Sequence, residues 1–140
     1  MDTDETRIQE LEIREQHPDK LLFRETTQAI IGAAFAVHRE LGYGFLEKVY
    51  QRALQVELLK AGHHAELEHP IGVRYRGVIV GEYFADLFVD EKVIVEIKVA
   101  PEYNSFDEAQ LINELRATGV RVGLLLNFGR REVQFRRMVL

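Results

Sequence analysis

Three charged side chains interrupt the two most strand-like stretches of the chain. Asp86 lies within YFADLFV (residues 83–89), and Glu96 and Lys98 lie within KVIVEIKV (residues 92–99). Both stretches are rich in β-branched and aromatic residues and are separated by the polar Asp90-Glu91. Side chains alternate along a strand, so Ile94, Glu96 and Lys98 share one face, while Val93, Val95, Ile97 and Val99 form the core-facing side. A three-residue loop Asp90-Glu91-Lys92 places Phe88 opposite Ile94 and Asp86 opposite Glu96; a two-residue loop would set Asp86 against Val95, on the wrong face. The first register brings the two carboxylates within about 4.5–5.5 Å at their Cβ atoms.

Directly opposed like charges destabilise a sheet, so something positive must offset them. Lys98, two residues along on the same face, is one candidate, and a bound divalent cation is the other. Oxygen donors without imidazole or sulfur favour a hard ion, Mg²⁺ or Mn²⁺. The bland alternative makes Glu96 and Lys98 the solvent face of an edge strand, joined in a surface ion pair of little energetic value.

The elements that must position these groups follow from period and punctuation. Apolar residues Ile30, Ile31, Ala34, Val37 and Leu41 recur at helical spacing across residues 25–41, and Gly42 and Gly44 end the run. A second helix is expected over residues 45–61, closed by Gly62. Past Pro70 the period becomes two: Val73 and Tyr75, then Val78 and Val80, predict a hairpin turning at Arg76-Gly77. Residues 106–118 read as a helix with Ser105 as N-cap, Asp107 and Glu108 in the first turn and Gly119 past the end. The near-continuous apolar run of residues 122–128 suits a strand buried on both faces, and a last strand spans residues 133–139.

At 140 residues the chain has room for one domain. The absence of cysteine excludes disulfides, thiol catalysis and cysteine-based metal sites. The five histidines lack zinc-ligand spacing, and His38 reads as a supporting group near Gly42. No apolar run approaches the roughly 18 residues of a membrane span, and the acidic N-terminus is unlike a signal peptide, so a cytoplasmic protein without membrane contact is expected. Charge is uneven despite the net −5. Residues 1–20 hold seven acids against three bases and read as an acidic N-terminal arm, leaving residues 21–140 as the domain. Residues 116–140 carry six arginines against Glu132 alone, a local excess that could meet phosphates or form an ordinary solvated face.

With these residues in view the chain resembles the GxxExxY proteins, a family within the PD-(D/E)xK nuclease-like superfamily. The name motif stands as Gly44-Phe45-Leu46-Glu47-Lys48-Val49-Tyr50. The match also takes in His38-Arg39-Glu40-Leu41-Gly42, Ala85-Asp86-Leu87, Val95-Glu96-Ile97-Lys98, Ala109-Gln110-Leu111-Ile112-Asn113 and the segment from Ala117-Thr118-Gly119 to Asn127-Phe128-Gly129. The resemblance implies an α/β fold with a central mixed β-sheet flanked by α-helices, a restriction-endonuclease-like core. It assigns Asp86, Glu96 and Lys98 to the nuclease signature, Glu47 to the acid of the preceding helix and Gln110 to the glutamine of the following one. Ala85 stands where the superfamily's name has proline, and Glu114 where the family often has tyrosine. Helical spacing puts Glu47 in line with Tyr50, Leu54 and Leu58, a costly place for an acid unless it is partnered or lies in the first turn.

The implied function is Mg²⁺- or Mn²⁺-dependent hydrolysis of nucleic-acid phosphodiesters. Glu47, Asp86 and Glu96 would hold the metal, Lys98 would stabilise charge or orient water, and Gln110 would position either group. Arg130, Arg131, Arg136 and Arg137 would contact the phosphate backbone of DNA or RNA. A catalytically quiet module of the same fold, binding nucleic acid or protein, is the alternative. A homodimer whose partner completes a nucleic-acid groove is a third reading, which the sequence leaves open.

Overall fold

The expected alternation of periods produces eight elements in the computed structural model, which describes residues 22–102 and 104–140. Two helices, α1 (Arg24–Leu41) and α2 (Glu47–Lys60), precede strands β1 (Ala65–Tyr75), β2 (Val78–Val89) and β3 (Val93–Lys98). Helix α3 (Ser105–Thr118) and strands β4 (Val122–Asn127) and β5 (Gln134–Val139) follow. The acidic arm expected over residues 1–20 lies outside the described residues. Among the described residues no helix is long and apolar enough to cross a membrane.

The five strands form one mixed sheet in the order β1-β2-β3-β4-β5. Only β3 and β4 are parallel, and α3 supplies the crossover that a parallel pair requires. All six residues of β4 are buried, which is the burial that its apolar run predicted. Two cores lie on opposite faces. Ile30, Ile31 and Ala34 of α1 and Tyr50, Leu54 and Leu58 of α2 pack on Val93, Val95, Ile97 and Leu124. On the other face Leu111 and Leu115 of α3 pack on Ile94 and Leu125. The alternative that made β3 an edge strand is therefore excluded: β3 lies between β2 and β4, and α3 covers the face that carries Glu96.

Local chemistry shifts a few boundaries. The side chain of Asn104, rather than Ser105, caps α3 by accepting the N–H of Phe106 at 2.7 Å, and Gly119 closes the helix at φ 76°. Strand β1 begins at Ala65, before Pro70, because an edge strand tolerates a proline that an interior strand would not. The two predicted stretches around residues 78–80 and 83–89 are one continuous strand, β2.

One irregularity matters for the site. Ala65 and Leu67 of β1 belong to the first core, but Ile71, of the same parity, belongs to the second; on β2, Leu87 and Ala85 divide in the same way. The switch falls at Glu68, whose φ of 53° is left-handed. Pairing runs Leu67↔Leu87 and His69↔Ala85 on either side, with Glu68 and Asp86 unpaired between them. The kink thus turns the distal β1–β2 hairpin toward α3.

Candidate active site

The three-residue loop sets the register that brings Phe88 opposite Ile94 and Leu87 opposite Val95. There the pairing of β2 with β3 stops, whereas β3 stays paired with β4 as far as Lys98↔Asn127. The next residues in line, Asp86 and Glu96, sit in the resulting fork and bridge it with their side chains. The Ile97 N–H donates to Asp86 Oδ2 at 2.7 Å, and the Asp86 N–H donates to Glu96 Oε1 at 3.1 Å. Carboxylates thus replace ladder carbonyls, satisfying backbone donors that would otherwise be orphaned.

Burial dominates the electrostatics. Desolvation, and then the charge of Asp86 and of Glu114, push Glu96 up to about 9. Asp86 is also raised, first by desolvation; the Ile97 N–H opposes this, while Glu47 and Glu68 add to it. Glu114 of α3 is raised by burial, opposed by the nearby hydrogen-bonding groups of Gln110 and Glu96, neither of which completes a regular hydrogen bond to its carboxylate. Lys98 points to the same face, where its Nζ lies 3.6 Å from Asp107 Oδ1. Its charge partly offsets Asp86, Glu96 and Glu114.

Helix α2 contributes from the other side. Glu47 is its first residue and is exposed, in the turn where the helix dipole favours an acid, while Tyr50, Leu54 and Leu58 behind it are buried. Tyr50 is fixed by packing and by its hydroxyl, which donates to the Gly42 carbonyl at 2.7 Å. Gln51, one residue on, was not anticipated. Its Nε2 donates to the Asp86 carbonyl at 2.8 Å and to Glu68 Oε1 at 2.9 Å, filling the gap that the β1 kink leaves in the ladder. With the Gln51 bond as the main cause, and Lys48 helping, Glu68 is held below the usual carboxylate range. A polar residue four positions after Glu47, beside an apolar stripe, was the sequence signal for Gln51; nothing in the strand pattern marked Glu68.

Asp86, Glu96 and Lys98 are thus brought together, with Glu47 near enough to act on Asp86. Gln110 is exposed on α3, where it lines a cleft shared with Glu114. The arginines are dispersed. Arg130 and Arg131 are exposed in the β4–β5 connection, where Arg130 donates to the Pro101 carbonyl at 3.3 Å. On β5 the two neighbours alternate: Arg136 pairs with Glu108 of α3 at 3.0 Å, while Arg137 donates to the Leu22 carbonyl near α1. His38 is a buried support, with its Nε2 2.6 Å from the Arg130 carbonyl and its ring stacked on Phe128.

Among the described residues no three acidic or histidine side chains converge on one point, so Glu47, at the exposed start of α2, does not join Asp86 and Glu96 in the three-carboxylate metal site that the sequence suggested. A buried carboxylate, Glu96, beside the half-buried carboxylate of Asp86, with oxygen donors alone, fits a hard divalent cation that keeps several waters, the usual habit of Mg²⁺.

A mixed sheet forked at an acid pair, with a lysine on the same face and helices on both sides, defines a nuclease-fold α/β domain. The chain belongs to the PD-(D/E)XK nuclease superfamily, whose family model matches residues 24–138. A solved structure described as the crystal structure of SSO0001 is similar at a TM-score of 0.53 and 16% sequence identity, over 91% of this chain and 61% of that one. At that identity the likeness is one of fold, and this chain spans less than two thirds of that protein's length. No curated protein matches the sequence.

Proposed function

We propose that this domain hydrolyses phosphodiester bonds of nucleic acid with Mg²⁺ or Mn²⁺. The observation that carries the reading is the placement of Asp86 and Glu96 in the β2–β3 fork, with Lys98 two residues further along the same face. Asp86 and Glu96 would hold the cation, with Glu47 reaching it through water. The cation, when bound, supplies Lewis acidity toward water and phosphate. Asp86 is kept in place by the Ile97 N–H on its carboxylate and by Gln51 on its carbonyl. Lys98 brings positive charge to the face where phosphate oxygens would lie, and Gln110 adds a neutral hydrogen-bonding group from α3. Arg130 and Arg131, exposed at the end of β4, would meet the phosphate backbone.

The second reading, a catalytically quiet binding module, is favoured by one observation: the amine of Lys98 is engaged by Asp107. The same experiment separates the two. Calorimetric titration with Mg²⁺ and Mn²⁺, together with cleavage of single- and double-stranded DNA and RNA, is compared for wild type and Glu96→Gln. Metal binding and cleavage that are both lost in the variant support the nuclease. Nucleic-acid binding with neither metal uptake nor cleavage supports the quiet module and ends the nuclease reading.

A further inference from the structure

The kink at Glu68 turns the distal β1–β2 hairpin toward α3, and between them lies a half-open cleft of about 880 Å³, a volume in the range of small-molecule sites. We infer that this cleft holds an unpaired nucleobase, so that the domain acts on single-stranded nucleic acid or on single-stranded ends of a duplex. That the occupant is nucleic acid rests on the nuclease reading; that it is unpaired follows from the cleft.

Two aromatic side chains lie on the walls, Tyr83 of β2 and Phe106 of α3, respectively 48% and 80% exposed. Aromatic faces left open to water on opposite sides of a cleft are poor core and good stacking platforms. A base within a duplex has both faces covered by its neighbours, so only a splayed base can use them.

The remaining lining supplies the polar half of a nucleotide site. Glu114 is 2% exposed; Gln110 and Glu96 lie close to its carboxylate without completing a regular hydrogen bond to it, which leaves acceptor capacity for a donor on an incoming base edge. Arg74 and Arg116 also line the cleft. Their side-chain hydrogen bonds are long, at 3.4 Å to the Gly77 carbonyl and 3.5 Å to Asn113, and among the described residues neither is ion-paired. Two guanidiniums flanking an aromatic cleft provide the positive charge that the phosphates on either side of a bound base require. Continuity with the acid pair comes through α3: its Gln110 and Glu114 line the cleft, while its Leu111 and Leu115 pack on Ile94, which shares its strand face with Glu96. A strand with a base in the cleft would therefore lead its backbone toward the fork.

The test is fluorescence anisotropy of the full chain in EDTA, where binding is read without cleavage. The probes are labelled single-stranded DNA and RNA of one sequence, about 15 nucleotides long, and the corresponding blunt DNA duplex. Either single strand should bind at least about tenfold more tightly than the duplex, and the DNA and RNA arms show which sugar is preferred. Tyr83→Ala and Phe106→Ala, both at exposed positions, should each weaken single-strand binding about fivefold or more. Arg116→Gln should weaken it and flatten its dependence on salt. Equal affinity for duplex and single strand, or binding indifferent to both aromatic substitutions, overturns the inference. Metal-dependent cleavage that is unaffected by Tyr83→Ala and Phe106→Ala removes the cleft while leaving the nuclease standing. Cleft-dependent binding without cleavage does the reverse.

Discussion

Asp86 and Glu96 are bound to each other through the backbone: the Glu96 carboxylate accepts the Asp86 N–H, while the Asp86 carboxylate accepts the N–H of Ile97, the residue after Glu96. The pair is therefore held at close range by donors that stabilise negative charge, in surroundings whose burial disfavours it. Two acids fixed in this way are costly when both are ionised and become compatible once a cation arrives.

The first prediction concerns pH. Glu96 releases its proton near its ordinary value in the unfolded chain but only near 9 in the folded one. Between those limits the folded state carries the extra proton, so metal-free stability falls as pH rises, by up to about 1.4 kcal/mol per pH unit. Stability from this source is complete below about pH 4.5 and is lost as pH passes through about 9. Urea unfolding in EDTA at several pH values should show this decline, and Glu96→Gln should flatten it. An unchanged slope in the variant would assign the decline to other groups.

The second prediction is the counterpart with metal. A cation that binds only the folded state raises stability by about 2.7 kcal/mol at a hundredfold excess over its Kd. Mn²⁺ or Mg²⁺ at pH 8 should raise the Tm of wild type, and Asp86→Asn and Glu96→Gln should each abolish most of that gain. A rise retained in both variants would place the ion elsewhere.

Gln51 provides the third. Its amide serves the Asp86 carbonyl and the Glu68 carboxylate from a position that is 4% exposed. Gln51→Leu keeps the approximate volume but removes both bonds, and should cost about 1–3 kcal/mol in urea unfolding. If Asp86 then shifts by about an ångström, kcat/KM should fall by about 100-fold, with metal affinity reduced as well. A variant that loses stability but keeps metal affinity would show that Gln51 supports the fold without aligning Asp86.

Much of this was legible in sequence because strands have a period of two. Once Asp90-Glu91-Lys92 was read as a three-residue loop, the register of Phe88 with Ile94 followed, and so did the shared face of Ile94, Glu96 and Lys98. The helices were legible from apolar spacing and from Gly62 and Gly119, both of which have positive φ. Glu68 was not, because its left-handed backbone breaks the period by which a strand is recognised, and Pro70 hid the start of β1. The fork itself was also hidden, since the Gln51 amide that bonds the Asp86 carbonyl and the Glu68 carboxylate there comes from a distant part of the chain. For the arginines, charge counts showed their number but not their faces, and Arg136 and Arg137 point to opposite sides of β5.

Gly129 yields a fourth prediction, from packing alone. A Cβ there would stand 2.4 Å from the Ala100 nitrogen and 2.6 Å from its oxygen, both backbone atoms just beyond Lys98. Asn127 fastens the same segment, accepting the N–H groups of Ala100 and Gly129 and donating to the Ala100 carbonyl. Backbone cannot turn aside as a side chain would, so Gly129→Ala should destabilise by about 2–4 kcal/mol in thermal or urea unfolding. A fully stable variant would mean that the segment after β3 is looser than its contacts indicate.

The fifth prediction divides the arginines by what already engages them. Arg131 is exposed in the β4–β5 connection, whereas Arg136 is paired with Glu108 and Arg137 is packed against the Leu22 carbonyl. Each phosphate contact contributes about 0.7 to 0.9 to the slope of log K against log salt, depending on whether the nucleic acid is single- or double-stranded. Arg131→Gln should therefore lower that slope by nearly one unit with little change in Tm. Arg137→Gln should do the opposite, lowering Tm with little change in slope, because its guanidinium ties β5 to the start of α1. Arg136→Gln should fall between them, since breaking a half-exposed ion pair costs less than about 1 kcal/mol. Salt titrations of nucleic-acid binding alongside thermal melts decide the matter, and equal slopes for all three variants would locate phosphate contact away from this end of the sheet.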